Sequence, residues 1–345
     1  MTERDKHINS AVSRCIRGWL LFFAVTLGAF SGARAGTGDV VLIAETGIGD
    51  GLAAAVRPTD ATTAVQIAAA GREAACAQHP AATPRLAVVA GQPRRPDTDA
   101  CGRNAASDVL ALTIGYQAVA LVTPVTAPTF PLLSTDLFRA VARHSGEPRA
   151  PAAWRDVDAK LPGLPVGLLM PPAGSVATRL LDTYVMEPAC GRTSGVRAPF
   201  ERVSRSEFCG SLRGDGAIAQ RKGNSGEIAA WAASAPAGQL AVVTLAELRK
   251  LDRFVVPVPL DDVLPTAANV ESGRYPAAEK VVLLFVVPRD TRPTQRDALR
   301  RAAFELLSES SIGPEGSLAQ AGLIPLPPAE RVAARSRAIA FVEHP

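Results

Sequence analysis

Three short stretches rich in Gly, Ser and Thr each follow an apolar run and precede a helical pattern. They are Glu45-Thr46-Gly47-Ile48-Gly49-Asp50-Gly51, Ala173-Gly174-Ser175-Val176-Ala177-Thr178-Arg179 and Lys222-Gly223-Asn224-Ser225-Gly226-Glu227. The first turn of a helix leaves backbone N–H groups without intrahelical partners, and these groups suit a ligand that carries negative charge. Gly and Ser at such places also simply cap helices, so each stretch is a candidate site and no more on spacing alone. Ser225 sits in Gly-Asn-Ser-Gly-Glu, which is not the Gly-x-Ser-x-Gly order of a nucleophile elbow. His79 lies beside a cysteine-bearing helix and His344 at the end of the chain, so no general base is evident. No catalytic residue is expected, and the chain reads as a binding protein and not an enzyme.

Five cysteines are present, Cys15, Cys76, Cys101, Cys190 and Cys209. The last four allow three pairings. The sequence-local one, Cys76 with Cys101 and Cys190 with Cys209, closes loops of roughly 20 to 25 residues, worth about 3 kcal/mol each in the loop-entropy picture. Zinc is the competing use of such residues. No Cys-x-x-Cys or His-x-x-x-His spacing supports it, so no metal and no cofactor is expected.

The elements that would position these loops are short aliphatic strands alternating with helical stretches. Strands are expected at Val40–Ile43, Leu86–Ala90, Ala118–Val122, Pro165–Met170, Ala241–Val243 and Val281–Val287, with an Ala-rich helix from about Leu52. Strand, loop and helix in repetition predict an α/β chain with mainly parallel sheets, in which ligands lie beyond the carboxyl ends of the strands. Trp154 and Trp231 are expected to pack in the core or against helices. Arg94-Arg95 and Arg300-Arg301 are expected on solvated faces.

Length and composition set the frame. With 345 residues, 47% hydrophobic and 20% charged, the chain can build a sizeable core and is long enough for two domains. Arg14 and Arg17 precede an apolar run from Gly18 to Phe30, followed by Ala33-Arg34-Ala35, the pattern of a secretory signal peptide cleaved after residue 35. The run is shorter than the roughly 20 residues that span a bilayer as a helix. Residues 1–35 hold five of the 37 basic and two of the 33 acidic side chains, leaving 32 against 31 and a net charge near +1. That balance gives no reason to expect nucleic acid or a polybasic membrane contact. The expectation is an exported protein, periplasmic, with no membrane span after cleavage.

Longer motifs resemble one family. Val263-Leu264-Pro265-Thr266-Ala267-Ala268-Asn269-Val270-Glu271-Ser272-Gly273-Arg274-Tyr275-Pro276, followed by the apolar run Val281–Val287, resembles a passage of the phosphate-binding proteins of bacterial ABC importers. Leu307-Ser308-Glu309, Ile312-Gly313-Pro314-Glu315-Gly316 and Gly322-Leu323-Ile324-Pro325-Leu326-Pro327 are similar to that family's ending. Cys101, Asn104 and Ile114-Gly115-Tyr116 resemble its entry to the second lobe. Trp154-Arg155-Asp156-Val157, Pro171-Pro172 and Val185-Met186-Glu187-Pro188-Ala189-Cys190 are similar to its middle, so the likeness covers nearly all of residues 36–345. It implies a two-lobed periplasmic binding protein of type II: each lobe a mixed, mainly parallel sheet flanked by helices, with the ligand cleft between them. Lobe I would hold 36–122 and 250–345, lobe II 123–249, each with one of the local disulfides. The implied function is capture of phosphate or a related oxyanion by hinge closure for an ABC importer, without cofactor, as a monomer that meets a permease. A sensory or binding module of the same fold, not engaged in transport, is the alternative.

Carried onto this chain, the resemblance assigns ligand contacts to Thr46 and Gly47 as backbone donors, to Ser175, Val176, Ala177 and Arg179, and to Asn224 and Ser225. Departures accompany them. A family Thr hydroxyl is Ala177 here, Val176 replaces a Gly, and Arg179 stands one place later, a turn of about 100° on a helix. Ala90 and Gly91 replace a Ser and a larger side chain, and Glu45 and Asp50 add acids to the first loop. Each lost bond to a charged ligand removes roughly 1.5–3 kcal/mol. The expected consequence is weakened phosphate binding, with Arg179 turned away from the ligand.

Overall fold

The computed structural model describes residues 40–56, 63–68, 71–76, 83–91, 107–223 and 226–343. The segment 1–35 expected to be a signal peptide, His79, Arg94-Arg95, Cys101, Asn104, Asn224, Ser225 and His344 lie outside the described residues. Among those described, no helix is long and apolar enough to cross a membrane.

The strands run in chain order as β1 (Val40–Glu45), β2 (Thr63–Ala68), β3 (Arg85–Ala90), β4 (Ser107–Pro124), β5 (Gly167–Met170), β6 (Ile218–Gln220), β7 (Gln239–Thr244), β8 (Val255–Val258), β9 (Ala278–Pro288) and β10 (Ile324–Pro325). All six expected strands are present. The run expected at Ala118–Val122 is the end of a strand of 18 residues, β4, which the polar residues Ser107, Asp108, Thr113 and Gln117 obscure in the sequence.

β4 makes the architecture two-lobed, because it serves two sheets. Its residues from Ser107 to Ala118 pair antiparallel with β9, and β10 adds to it at Tyr116 and Gly115. From Val119 to Val122 it pairs antiparallel with β7, and from Leu121 to Pro124 with β8. On the first side, β2, β1 and β3 pair parallel and β3 joins β9 antiparallel. On the second, β5 pairs parallel with both β6 and β7. The sheets are therefore mixed: strand–helix–strand units supply the parallel pairs, and the crossover strand β4 together with β9 supplies the antiparallel ones. β4 bulges between Thr113 and Gly115. A Cβ on Gly115 would stand 2.6 Å from the Ile324 carbonyl, so only glycine lets β10 approach there.

Alternation along the strands distributes the core of the first sheet. Leu42, Ala44, Leu86, Val88, Leu283 and Phe285 face the helices Pro293–Leu306 and Pro328–Glu343, which contribute Leu299, Ala302, Ala338 and Val342. Ile43, Ala87, Val89, Val282 and Leu284 face the opposite side, where Ala75 of the helix Gly71–Cys76 packs. Helices on both faces explain why these strands read as continuous apolar runs. The second lobe is built around Phe138, Leu168, Leu180, Val185, Leu240 and Val242, with Trp154 fully buried and tilted against Phe130. The Trp154 Nε1–H donates to the Gly238 carbonyl at 2.7 Å, which satisfies the only polar atom a buried indole carries. Trp154 is thus core, as expected, and Trp231 is half-buried with its indole Nε1–H directed at the Gln239 side chain at 3.4 Å.

Cys190 and Cys209 form a disulfide that ties the helix Glu187–Arg192 to the helix Arg202–Gly210. This is one half of the sequence-local pairing. Cys76 is also disulfide-bonded.

Candidate functional site

The carboxyl ends of β1, β5, β6 and β7 open onto one cleft of about 280 Å³. From the first sheet come Thr46, Gly49 and Asp50, from the tight 3-10 turn Thr46–Ile48 after β1 and the start of the helix Asp50–Ala55. From the second come Pro171, Pro172 and Ser175 after β5, Arg221 after β6, and Thr244 and Glu247 after β7. Loops at the carboxyl ends of neighbouring strands converge because each must turn back into a helix covering its sheet, and the helix N-termini then share one crevice.

Ser175 caps the helix Val176–Leu181. Its Oγ accepts the Thr178 N–H at 3.3 Å and lies 3.2 Å from Thr178 Oγ1, which donates to the Pro172 carbonyl at 3.0 Å. The helical path continues through a π segment, Asp182–Met186, into Glu187–Arg192, so one rod points its first amides, those of Val176 and Ala177, at the cleft. Across the gap, a Cβ on Gly49 would sit 3.1 Å from Val176 Cγ2, and Gly49 holds φ +90. Glycine there lets the two loops meet.

The wall formed by the second sheet carries a paired charge. Arg221 donates from Nη1 and Nη2 to the two carboxylate oxygens of Glu247 at 2.7 and 3.0 Å. Glu247 also accepts the Thr244 N–H at 2.8 Å, while Thr244 Oγ1 accepts the Glu247 N–H at 3.1 Å, a capping box for the helix Leu245–Lys250. Burial alone would raise the Glu247 pKa. The bonds from Arg221 and Thr244 outweigh it and hold the carboxyl below its ordinary range.

Outside the cavity lining, where β4 leaves the first sheet and β9 enters it, lies a second polar cluster centred on Glu279. This carboxylate is buried and register-matched to Gln117. Arg179 Nη2 ion-pairs with Oε1 and Nη1 donates to Oε2 at 3.1 Å. Gln117 Nε2 donates to Oε1, and the Tyr184 hydroxyl donates to Oε2 at 3.0 Å. Arg179 Nη2 also donates to the Gly47 carbonyl at 2.8 Å, to which Gln117 adds a longer bond of 3.3 Å. Burial opposes the Arg179 charge, but the Glu279 carboxylate more than compensates and keeps the guanidinium pKa above its usual value. Nearby, Glu45 Oε2 accepts the Ala90 N–H at 2.7 Å at the end of β3.

The structure thus brings Thr46, Ser175, Val176 and Ala177 to one cavity. Gly47 enters the bonding through its carbonyl as an acceptor, whereas the sequence assigned it a backbone donor role. Arg179 is not part of the cavity lining, and the reason is a partner that sequence reasoning did not name, Glu279. Arg221, Thr244, Glu247, Gln117 and Tyr184 were not singled out either. One signal existed: Gln117 and Glu279 are polar residues next to long apolar runs, Ala118–Val122 and Val281–Val287, where a buried polar group needs a reason.

Two sheets sharing the long strand β4, with a polar cleft at the strand ends, define a bilobal α/β fold. Residues 41–300 match the model of the PBP superfamily domain, and the chain belongs to that superfamily. The fold is similar to that of a possible phosphate binding protein from Planctomyces limnophilus, with a TM-score of 0.60 and 15% identity over 88% of this chain and 98% of that one. PstS from Borrelia burgdorferi aligns with a TM-score of 0.56 and 10% identity over 84% and 99% of the two chains. An ABC-type phosphate transport receptor from Vibrio cholerae aligns at 0.51 and 12% over 84% and 100%. At these identities the likeness establishes the fold. No curated protein sequence matches the chain.

Proposed function

We propose that this protein is an extracytoplasmic solute-binding protein that captures phosphate or a related oxyanion between its lobes and presents the closed complex to an ABC permease. The carrying observation is the cleft in which Thr46 and Gly49 of one lobe face the Ser175-capped helix start of the other. Amides of Val176 and Ala177 and the hydroxyls of Thr46 and Ser175 are donors of the kind that hold an oxyanion without metal. Structures of similar fold with phosphate in their names, from Planctomyces limnophilus and Vibrio cholerae, support the ligand class.

Hinge motion follows from the connectivity. We draw the lobes at 36–118 with 278–345 and at 119–277, and not at 122 and 250, because β8 pairs with the second-sheet end of β4 and Val255, Val258, Val270 and Tyr275 pack in the second core; β4 and the segment entering β9 then carry the bending. A ligand touching both lobes stabilises only the closed form and shifts the population toward it. Export is part of the proposal, with the mature N-terminus at Gly36, and so is a monomeric state. Asn224 and Ser225, which extend the loop after Arg221, are proposed to complete the ligand shell.

Isothermal titration of the mature protein with phosphate, sulfate and molybdate tests the reading. A saturable heat with one of them is the expected result; silence with all three removes the proposal.

A further inference from the structure

Arg179 is the one cation that the sequence offered to an anionic ligand, and in the fold it is already occupied. Every acceptor of its guanidinium among the described residues lies on the first-sheet side: both carboxylate oxygens of Glu279 on β9 and the carbonyl of Gly47. Arg179 itself sits in the helix following β5 of the second sheet. The bonds therefore run from lobe to lobe, and Glu279 is buried with Gln117 and Tyr184 completing its shell. The set around this carboxylate, a guanidinium, an amide N–H and a phenol O–H, is a planar-anion receptor filled by the protein's own side chain. The backbone donor at Ala90, on the next strand of the same sheet, is likewise taken by a carboxylate, that of Glu45.

We propose that Glu279 is an intramolecular occupant and latch: it takes the guanidinium of Arg179 away from any incoming anion and holds the two lobes together when the cleft is empty. The proposal rests on the anion-binding reading for its ligand, but the latch is a property of the lobes alone. Its consequence for specificity is that a free oxyanion binds only through the amides and hydroxyls of the cavity unless it displaces Glu279. A side chain tethered at about the right distance competes at high effective concentration, so weak external anions are excluded.

The test uses the mature chain and two variants, Glu279→Gln and Arg179→Met/Glu279→Gln, with folding checked by circular dichroism. Inorganic phosphate is titrated calorimetrically, and the radius of gyration without ligand is measured by small-angle scattering. Glu279→Gln should bind phosphate at least tenfold more tightly than wild type, the double variant should lose that gain, and both variants should be more open without ligand. Equal phosphate affinity in wild type and Glu279→Gln, together with unchanged dimensions, overturns the latch while leaving the anion-binding reading intact. Opening of the variants with no phosphate, sulfate or molybdate binding in any form supports the latch and removes the anion-binding reading instead. If Glu279→Gln fails to fold, Arg179→Met alone must open the ligand-free protein, and a compact Arg179→Met overturns the latch.

Discussion

Arg221 and Glu247 face each other across the cleft wall in a two-pronged ion pair, with the guanidinium 5% and the carboxylate side chain 33% exposed. The partners are thus unequal: the cation is shut in, and the anion still reaches the cleft. A buried charge that loses its partner is costly, whereas one that can recover water is less so. Glu247→Gln, which strands Arg221, should lower stability by about 3 kcal/mol, and Arg221→Met by roughly 1–2 kcal/mol. Urea denaturation of the two variants at neutral pH measures the asymmetry. Because the folded Glu247 pKa lies below its ordinary value, this contribution is present above that value and is lost as pH falls through the folded pKa. The gap between Glu247→Gln and wild type should therefore shrink in acid.

Ser175 serves the helix and the cleft together. Its Oγ accepts from Thr178 while its residue lines the cavity. Ser175→Ala should cost about 1 kcal/mol as a lost cap, read from the denaturation midpoint, and should weaken oxyanion binding in calorimetry. Ser175→Asp should keep the cap but repel an anion, so stability is retained while binding is lost.

Asp182 carries a pH signature of opposite sign. It opens the π segment with its carboxyl against Gly210, and burial pushes its pKa up to about 6. In the folded state it holds a proton more readily than in the unfolded chain, so stability falls as pH rises from about 4 through 6 and the full penalty is present above that. Asp182→Asn should stabilise the protein by roughly 1–3 kcal/mol at pH 7.5, and the gain should vanish near pH 4. Thermal melts of both forms across that range check it.

The disulfide between Cys190 and Cys209 closes a loop of 19 residues. Both sulfurs lie in the second-lobe core beside Val185 and Met186. Its replacement by two serines should cost about 3 kcal/mol, mostly by freeing the unfolded chain, and should leave phosphate titration of the folded protein unchanged. A comparison of melting temperatures with and without the bridge measures this.

How far the sequence carried the reading can be judged from particular residues. Runs such as Val40–Ile43 and Val281–Val287 announce buried strands, because a strand covered on both faces is apolar at every position. β2 escaped because its exposed Val65, Gln66 and Ile67 do not alternate. Ser175 was legible because a Ser before a helix pattern has a local physical meaning. Glu279 was not, because nothing local distinguishes a solvated glutamate from one held by a guanidinium 100 residues away.

The sequence by itself determined the α/β class and which loops end in helix starts, whereas it left three cysteine pairings open and the fold selected Cys190 with Cys209. The class and the helix starts depend on neighbours within a few turns of chain or on hydrophobic periodicity. Only the tertiary structure decided where the charges go: Arg179 onto Glu279, Arg221 onto Glu247, Glu45 onto the Ala90 amide. Electrostatic partners are chosen by distance in space after the sheets have assembled, and the Coulomb term has no period to read along the chain.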